Sequence, residues 1–126
     1  MCRIIRFVIQ SIVSGELGKR LAQQHEVTVK EVLIGFKHIA KAIRELDDTE
    51  SFLFAYEESY GYLADDFVRD KDAIQIVPLI IKYTSILKNE GKTLHDALKE
   101  IHREVGQYRD KPMSKVFEGR EGQQQI

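Results

Sequence analysis

The sequence predicts an α/β fold: a single domain with a small mixed sheet covered by helices in a three-layer arrangement. Three observations lead there. The chain has 126 residues, 43% of them apolar, enough for one core but not two. Its apolar residues switch between β-branched runs and three-and-four spacing. These two patterns alternate along the chain, as a sheet flanked by helices requires.

Taken in order, Ile4 to Val13 is β-branched and apolar and reads as a buried strand. Ser14 and Gly15 punctuate it, and Leu17, Leu21 and Ala22 mark a short helix ending near His25. Val27 to Val32 is a second strand, with Val27 and Val29 alternating against Thr28 and Lys30. Phe36, Ile39, Ala40, Ile43 and Leu46 recur at three and four, an amphipathic helix closed by Asp47-Asp48. Ser51 to Tyr56 is short and aromatic, hence a buried strand, followed by a loop from Glu57 to about Arg69. Ala73, Ile76, Val77, Ile80, Ile81, Thr84 and Leu87 form the packed face of another helix, with Pro78 near its first turn or kinking it and Gly91 ending it. Thr93 with Asp96 is a capping-box variant opening a last helix, whose buried stripe is Leu94, Ala97, Leu98, Ile101 and Val105. Residues 1–110 therefore read as the domain and 111–126, with Pro112, Gly119 and Gly122, as a linker.

Composition excludes several classes of function. The formal net charge is −1, and basic residues are scattered without an aromatic-basic stripe, so no nucleic-acid partner is expected. The single cysteine, Cys2, leaves no internal disulfide and suits a reducing cytoplasm. The apolar start is interrupted by Arg6 and lacks a cleavage site, and the run Ile74 to Ile81 is too short to span a bilayer, so no membrane is expected.

In open α/β sheets ligands bind beyond the carboxyl ends of strands. Two segments leave such ends: Gly35-Phe36-Lys37 and Glu57-Glu58-Ser59. The stretch Tyr56 to Tyr62 sends two carboxylates, a hydroxyl and a glycine out of a strand. A carboxylate can accept hydrogen bonds from two vicinal hydroxyls, serine adds a donor and acceptor, and glycine permits close approach, which together suit the edge of a sugar. The same residues equally describe a solvated turn. Arg69 and Lys71 sit before the helix that begins near Ala73, where its dipole favours an anion such as phosphate and lowers the pKa of Lys71 toward a proton-transfer role. A surface salt-bridge cluster is the simpler reading of that segment. Gly35 would leave amides open at a strand-to-helix turn, with Lys37 adding charge, or the triplet is a plain helix start. Asp70 and Asp72 lack a third ligand, and His25, His38, His95 and His102 are dispersed, so no metal site is expected in the chain.

Three segments in this order, Gly35 to Lys37, Phe54 to Leu63 and Asp66 to Ala73, resemble the third domain of the phosphoglucomutase and phosphomannomutase (α-D-phosphohexomutase) family, from about Ile12 through Gly122. Even Phe117 to Gly122 looks like that family's passage toward its fourth domain. The resemblance implies that Glu57 and Ser59 contact the sugar 3- and 4-hydroxyls. It implies Lys71 as general acid/base with Arg69 beside it, and Gly35 to Lys37 as a second substrate loop. The resemblance implies interconversion of glucose 1-phosphate and glucose 6-phosphate through a 1,6-bisphosphate that turns around, so one loop must hold the hexose in two orientations. Contacts to the 3- and 4-hydroxyls do not separate glucose from mannose or glucosamine, which differ at carbon 2. Ala55 and Pro78 depart from the family pattern. The chain has no phosphoserine loop, metal loop or fourth-domain phosphate clamp, so as a mutase fragment it is expected to be inactive alone. Mg²⁺, glucose 1,6-bisphosphate and the missing domains, in cis or trans, are expected only for the complete enzyme. The alternative is a non-catalytic module that binds a hexose phosphate or another chain. In a chain without its neighbouring domains, surfaces built for contact with them would favour self-association.

Overall fold

The computed structural model describes residues 4–111, 113 and 116. Most of the expected linker, including Phe117 to Gly122, lies outside them. The elements run β1 (Ile5–Ser11), α1 (Leu17–Gln24), β2 (Thr28–Val32), α2 (Phe36–Arg44), β3 (Glu50–Tyr56), β4 (Tyr62–Leu63), α3 (Ala73–Asn89) and α4 (Leu94–Val105). The four strands form one mixed sheet in the order β2-β1-β3-β4. β1 pairs in parallel with both β2 and β3, whereas β4 returns antiparallel along β3. Three parallel strands thus end on one edge of the sheet.

The core lies between this sheet and α2. Ile9, Ala55 and Leu63 point from β1, β3 and β4 at Phe36, Ile39 and Ala42, with Val32, Ile43, Phe52 and Val68 packed around them. Of the α2 stripe expected from its spacing, Phe36 and Ile39 are buried and Ala40, Ile43 and Leu46 are half-buried, while Ala42 takes the third buried position. Ala55 places its methyl in this core, which explains why the position tolerates more than glycine. The opposite face is only partly covered. There Val8 and Phe54 pair across the strands and join Leu21, Ala22 and Val27 around an open groove of about 490 Å³. β3 is accordingly half-buried, not buried throughout. A register shift between Phe7 and Val8 leaves Leu53 as the extra residue of β3, and Leu53 is exposed.

The last two helices depart most from expectation. α3 rests on β4 and α4 and does not lie over the sheet. Of its anticipated face only Leu87 is buried, while Val77, Ile80 and Ile81 are exposed. In α4 only Ala97 is buried, and Leu94 and Leu98 are exposed. Spacing identifies residues that share a face, not what covers it. α3 carries Leu79, Tyr83 and Ile86 on its other sides as well, so it is apolar all round, the signature of a helix meant for burial among several neighbours. Pro78 sits inside α3, past the first turn, and the helix continues through it although proline cannot donate to the Ile74 carbonyl. No helix among the described residues is long and apolar enough to cross a membrane.

Candidate functional site

The site grows out of the carboxyl edge of β1 and β3. β3 ends at Tyr56, five residues form a loop, and β4 pairs back with Tyr62 opposite Tyr56 and Leu63 opposite Ala55. The strand β4 therefore interrupts what the sequence predicts as a single loop to Arg69. A signal for it exists, since a short glycine-containing loop between two apolar stretches marks a hairpin. The loop closes on itself through a bond from the Glu57 amide to the Gly61 carbonyl at 2.9 Å. Tyr60, exposed at the tip, has φ 61°, a left-handed conformation that costs a bulky residue about 1–2 kcal/mol. Such outliers collect where surrounding contacts fix a loop's shape.

Glu57 is only 5% exposed, and its Oε1 accepts a hydrogen bond from Lys71 Nζ at 2.8 Å. Gly61 makes this possible: a Cβ there would lie 2.7 Å from Glu57 Cγ and closer still to its Oε1. The glycine thus makes room for the loop's own carboxylate, whereas its composition suggested room for a ligand. Lys71 comes from the segment leading into α3. Asp72 caps that helix by accepting from the Ile74 amide, and the Asp72 amide donates to the Tyr62 carbonyl, which ties the helix start to β4. Lys71, half-exposed, therefore turns away from the helix and into the loop.

This geometry overturns one expectation. The Lys71 pKa is raised, first by its hydrogen bond to Glu57, then by that carboxylate's charge, with Asp70 and Glu58 adding to it. A full negative charge in contact outweighs the partial charge of a helix end. With its pKa raised, Lys71 keeps its proton at neutral pH.

Glu58 is exposed, the second of the two carboxylates that leave β3. Its Oε2 accepts from the Ser11 hydroxyl at 2.7 Å, and Ser11 in turn contacts Ser14 Oγ at 2.8 Å. The Ser11 hydroxyl is the main reason its pKa lies below the ordinary carboxylate value, with its own backbone amide, Ser59 and Lys71 contributing. Glu57, Glu58, Ser59 and Lys71 therefore share one small region, two of them as carboxylates held by separate donors.

The remaining predicted residues stand apart. Gly35, with φ 108°, caps α2 at the end of β2, and Lys37 follows in its first turn. β1 separates them from the β3 loop. Arg69 lines a small hollow against α2 with Ala40, Arg44 and Asp66, away from the Glu57 carboxylate. Among the described residues no group of three or more His, Cys, Asp or Glu side chains could hold a metal ion.

What the arrangement can do chemically is offer oriented acceptors and a protonated lysine beside them, the tools for holding neighbouring hydroxyls and an adjacent anion. A family model described as phosphoglucomutase/phosphomannomutase, alpha/beta/alpha domain III, matches residues 4–105. The chain is 60% identical over 121 residues to a phosphoglucomutase of Staphylococcus epidermidis, covering 96% of this chain and 22% of that protein. A phosphoglucomutase of Staphylococcus aureus is 59% identical over the same length and with the same coverage. The chain thus spans about a fifth of the length of the curated relatives it matches. A crystal structure described as a phosphomannomutase from Thermus thermophilus superposes with a TM-score of 0.68 at 21% identity, covering 82% of this chain and 22% of that one. That likeness shows the fold alone.

Proposed function

The chain belongs to the phosphoglucomutase/phosphomannomutase family as its domain III, and we propose that it holds the hexose while a phosphoglucomutase interconverts glucose 1-phosphate and glucose 6-phosphate. The observation that carries this reading is the buried Glu57 carboxylate, held 2.8 Å from Lys71 in a loop at the carboxyl edge of the sheet. A carboxylate has about four acceptor positions, and Lys71 uses one of them. Those left over accept hydroxyls of a hexose, with Ser59, two residues on in the same turn, taking the neighbouring one. Vicinal hydroxyls that exchange places between Glu57 and Ser59 allow the ring to be held in either of two opposite orientations. Lys71, protonated and next to the ring, faces a phosphate as hydrogen-bond donor and general acid. Lys37 and Arg69 enter only if substrate or a neighbouring domain brings them toward the loop. The names of the relatives favour glucose.

Turnover requires more than this. The phosphoryl donor and the Mg²⁺ site have no counterpart among these residues, so the other mutase domains must supply them in cis or trans, with glucose 1,6-bisphosphate as intermediate. In this reading those domains also cover the exposed apolar faces of α3, which otherwise favour self-association, and the setting is cytoplasmic.

The test is a mutase assay coupled to glucose 6-phosphate oxidation, with the remaining domains supplied together with Mg²⁺ and the bisphosphate. Neither part alone should turn over, and the combination should. Glu57→Gln should lower kcat/KM by roughly ten- to hundredfold, the scale of one charge-assisted bond. A Glu57→Gln variant as active as the parent would remove the reading. Hexose-phosphate binding without turnover in any combination would favour a non-catalytic binding module.

A further inference from the structure

Ser11 has no functional reading in the sequence, where it is a small polar residue at the end of a β-branched run. In the structure it closes β1 with 0% of its surface exposed, beside Gln10 at 1%. A hydroxyl so deeply buried needs partners, and Ser11 reaches upward for them. It donates to Glu58 Oε2 at 2.7 Å across 47 residues of sequence, and Ser14 Oγ lies 2.8 Å from it. The turn that brings Ser14 there is closed by its own amide, which donates to the Ser11 carbonyl at 3.0 Å. A second tie joins the same strand ends: the Tyr56 hydroxyl donates to Gln10 Oε1 at 2.5 Å, and Gln10 Nε2 reaches the Gly15 carbonyl at 3.4 Å.

The loop therefore does not depend on its own hydrogen bonds alone. Its tip carries Tyr60 in the left-handed region, a shape that a bulky residue leaves unless something holds it. The hold comes from β1, the central strand of the parallel set, and it grips the exposed carboxylate of the loop, not the buried one.

We propose that Ser11, supported by Ser14, is a positioning residue: by holding Glu58 it sets the shape of the 57–61 loop and so aims Glu57 and Ser59 at their ligand. The hexose as ligand rests on the function proposed above. The tether itself rests only on these hydrogen bonds. A purely structural Ser11 would fill space at the strand end. Its loss would then lower stability without touching loop motion or ligand affinity.

The experiment uses the 126-residue chain and reads two quantities by NMR: relaxation of the amides of residues 58–60, and the Kd for glucose 1-phosphate. The variants are Ser11→Ala, Glu58→Ala, the double variant, Glu58→Gln and Glu57→Gln. Glu58 is exposed, so its variants fold even if Ser11→Ala does not. Both single alanine variants should loosen the loop, with order parameters falling below about 0.6, and weaken binding about tenfold. The double variant should be no worse than Glu58→Ala, because both remove the same bond. Glu58→Gln keeps an acceptor and should restore most of the rigidity. A loop that stays rigid in Glu58→Ala with unchanged Kd overturns the proposal, as does full additivity in the double variant. If the alanine variants loosen the loop but neither the parent nor Glu57→Gln binds glucose 1-phosphate, the tether stands and the hexose reading falls.

Discussion

Glu57 is a carboxylate that the fold has taken out of water and given one cation. Its neighbours are arranged around that choice. Lys71 reaches back 14 residues to pair with it, and Gly61 leaves the space its side chain fills. Adding a methyl in Gly61→Ala would put a carbon against Glu57 Oε1 and push the carboxylate off Lys71. Overpacking of this kind should cost about 1–3 kcal/mol in denaturant unfolding. A change under about 0.5 kcal/mol, the range of neutral surface substitutions, would show that the pair does not depend on that gap. The pair's pH dependence has a definite sign. Lys71 is raised, so its contribution is complete below the ordinary lysine pKa and is lost only as pH rises through the folded value. Glu58 is lowered, so the contribution of its hold by Ser11 is present above the ordinary glutamate pKa and fades in acid. At this scale the sequence disclosed the residue types of the loop and the family match. It did not disclose that Glu57 faces inward, nor that Ser11 and Glu58 meet, because contacts 47 residues apart leave no local pattern.

The elements whose instructions are local were the legible ones. Thr93 and Asp96 form the full capping box, with the Asp96 amide donating to Thr93 Oγ1 at 3.2 Å and the Thr93 amide to Asp96 Oδ2 at 3.0 Å. The α2 stripe was readable because one sheet face is enough to bury it. α3 and α4 are legible as helices, but the spacing does not show that their apolar faces look outward from this chain, and the two residues of β4 carry too little periodicity to show. α4 has few packed neighbours, so its first turn depends on its cap. Thr93→Ala should cost about 1 kcal/mol there. Hydrogen exchange should show faster opening of the amides from Leu94 to Ala97, while the protection of Ile9 and Ala55 in the sheet should not change. Equal loss of protection in both places would mean that α4 unfolds only with the sheet.

At the scale of the whole molecule, sheet order decides what can act together. With β1 between β2 and β3, the turn after β1 lies beside the loop after β3 and can hold it. The turn after β2, with Gly35 and Lys37, lies one strand further away. The domain carries a core on one face of its sheet, a partly open groove on the other, and a helix apolar on every side. In the proposed function the other mutase domains cover that helix. The most direct check of the central claim is a chemical-shift map of the chain titrated with glucose 1-phosphate. The shifts should concentrate on Glu57 to Gly61, Lys71 and the Ser11–Ser14 turn, and vanish in Glu57→Gln. Shifts centred instead on the open groove near Phe54 and Leu21, or unchanged by Glu57→Gln, would contradict the account.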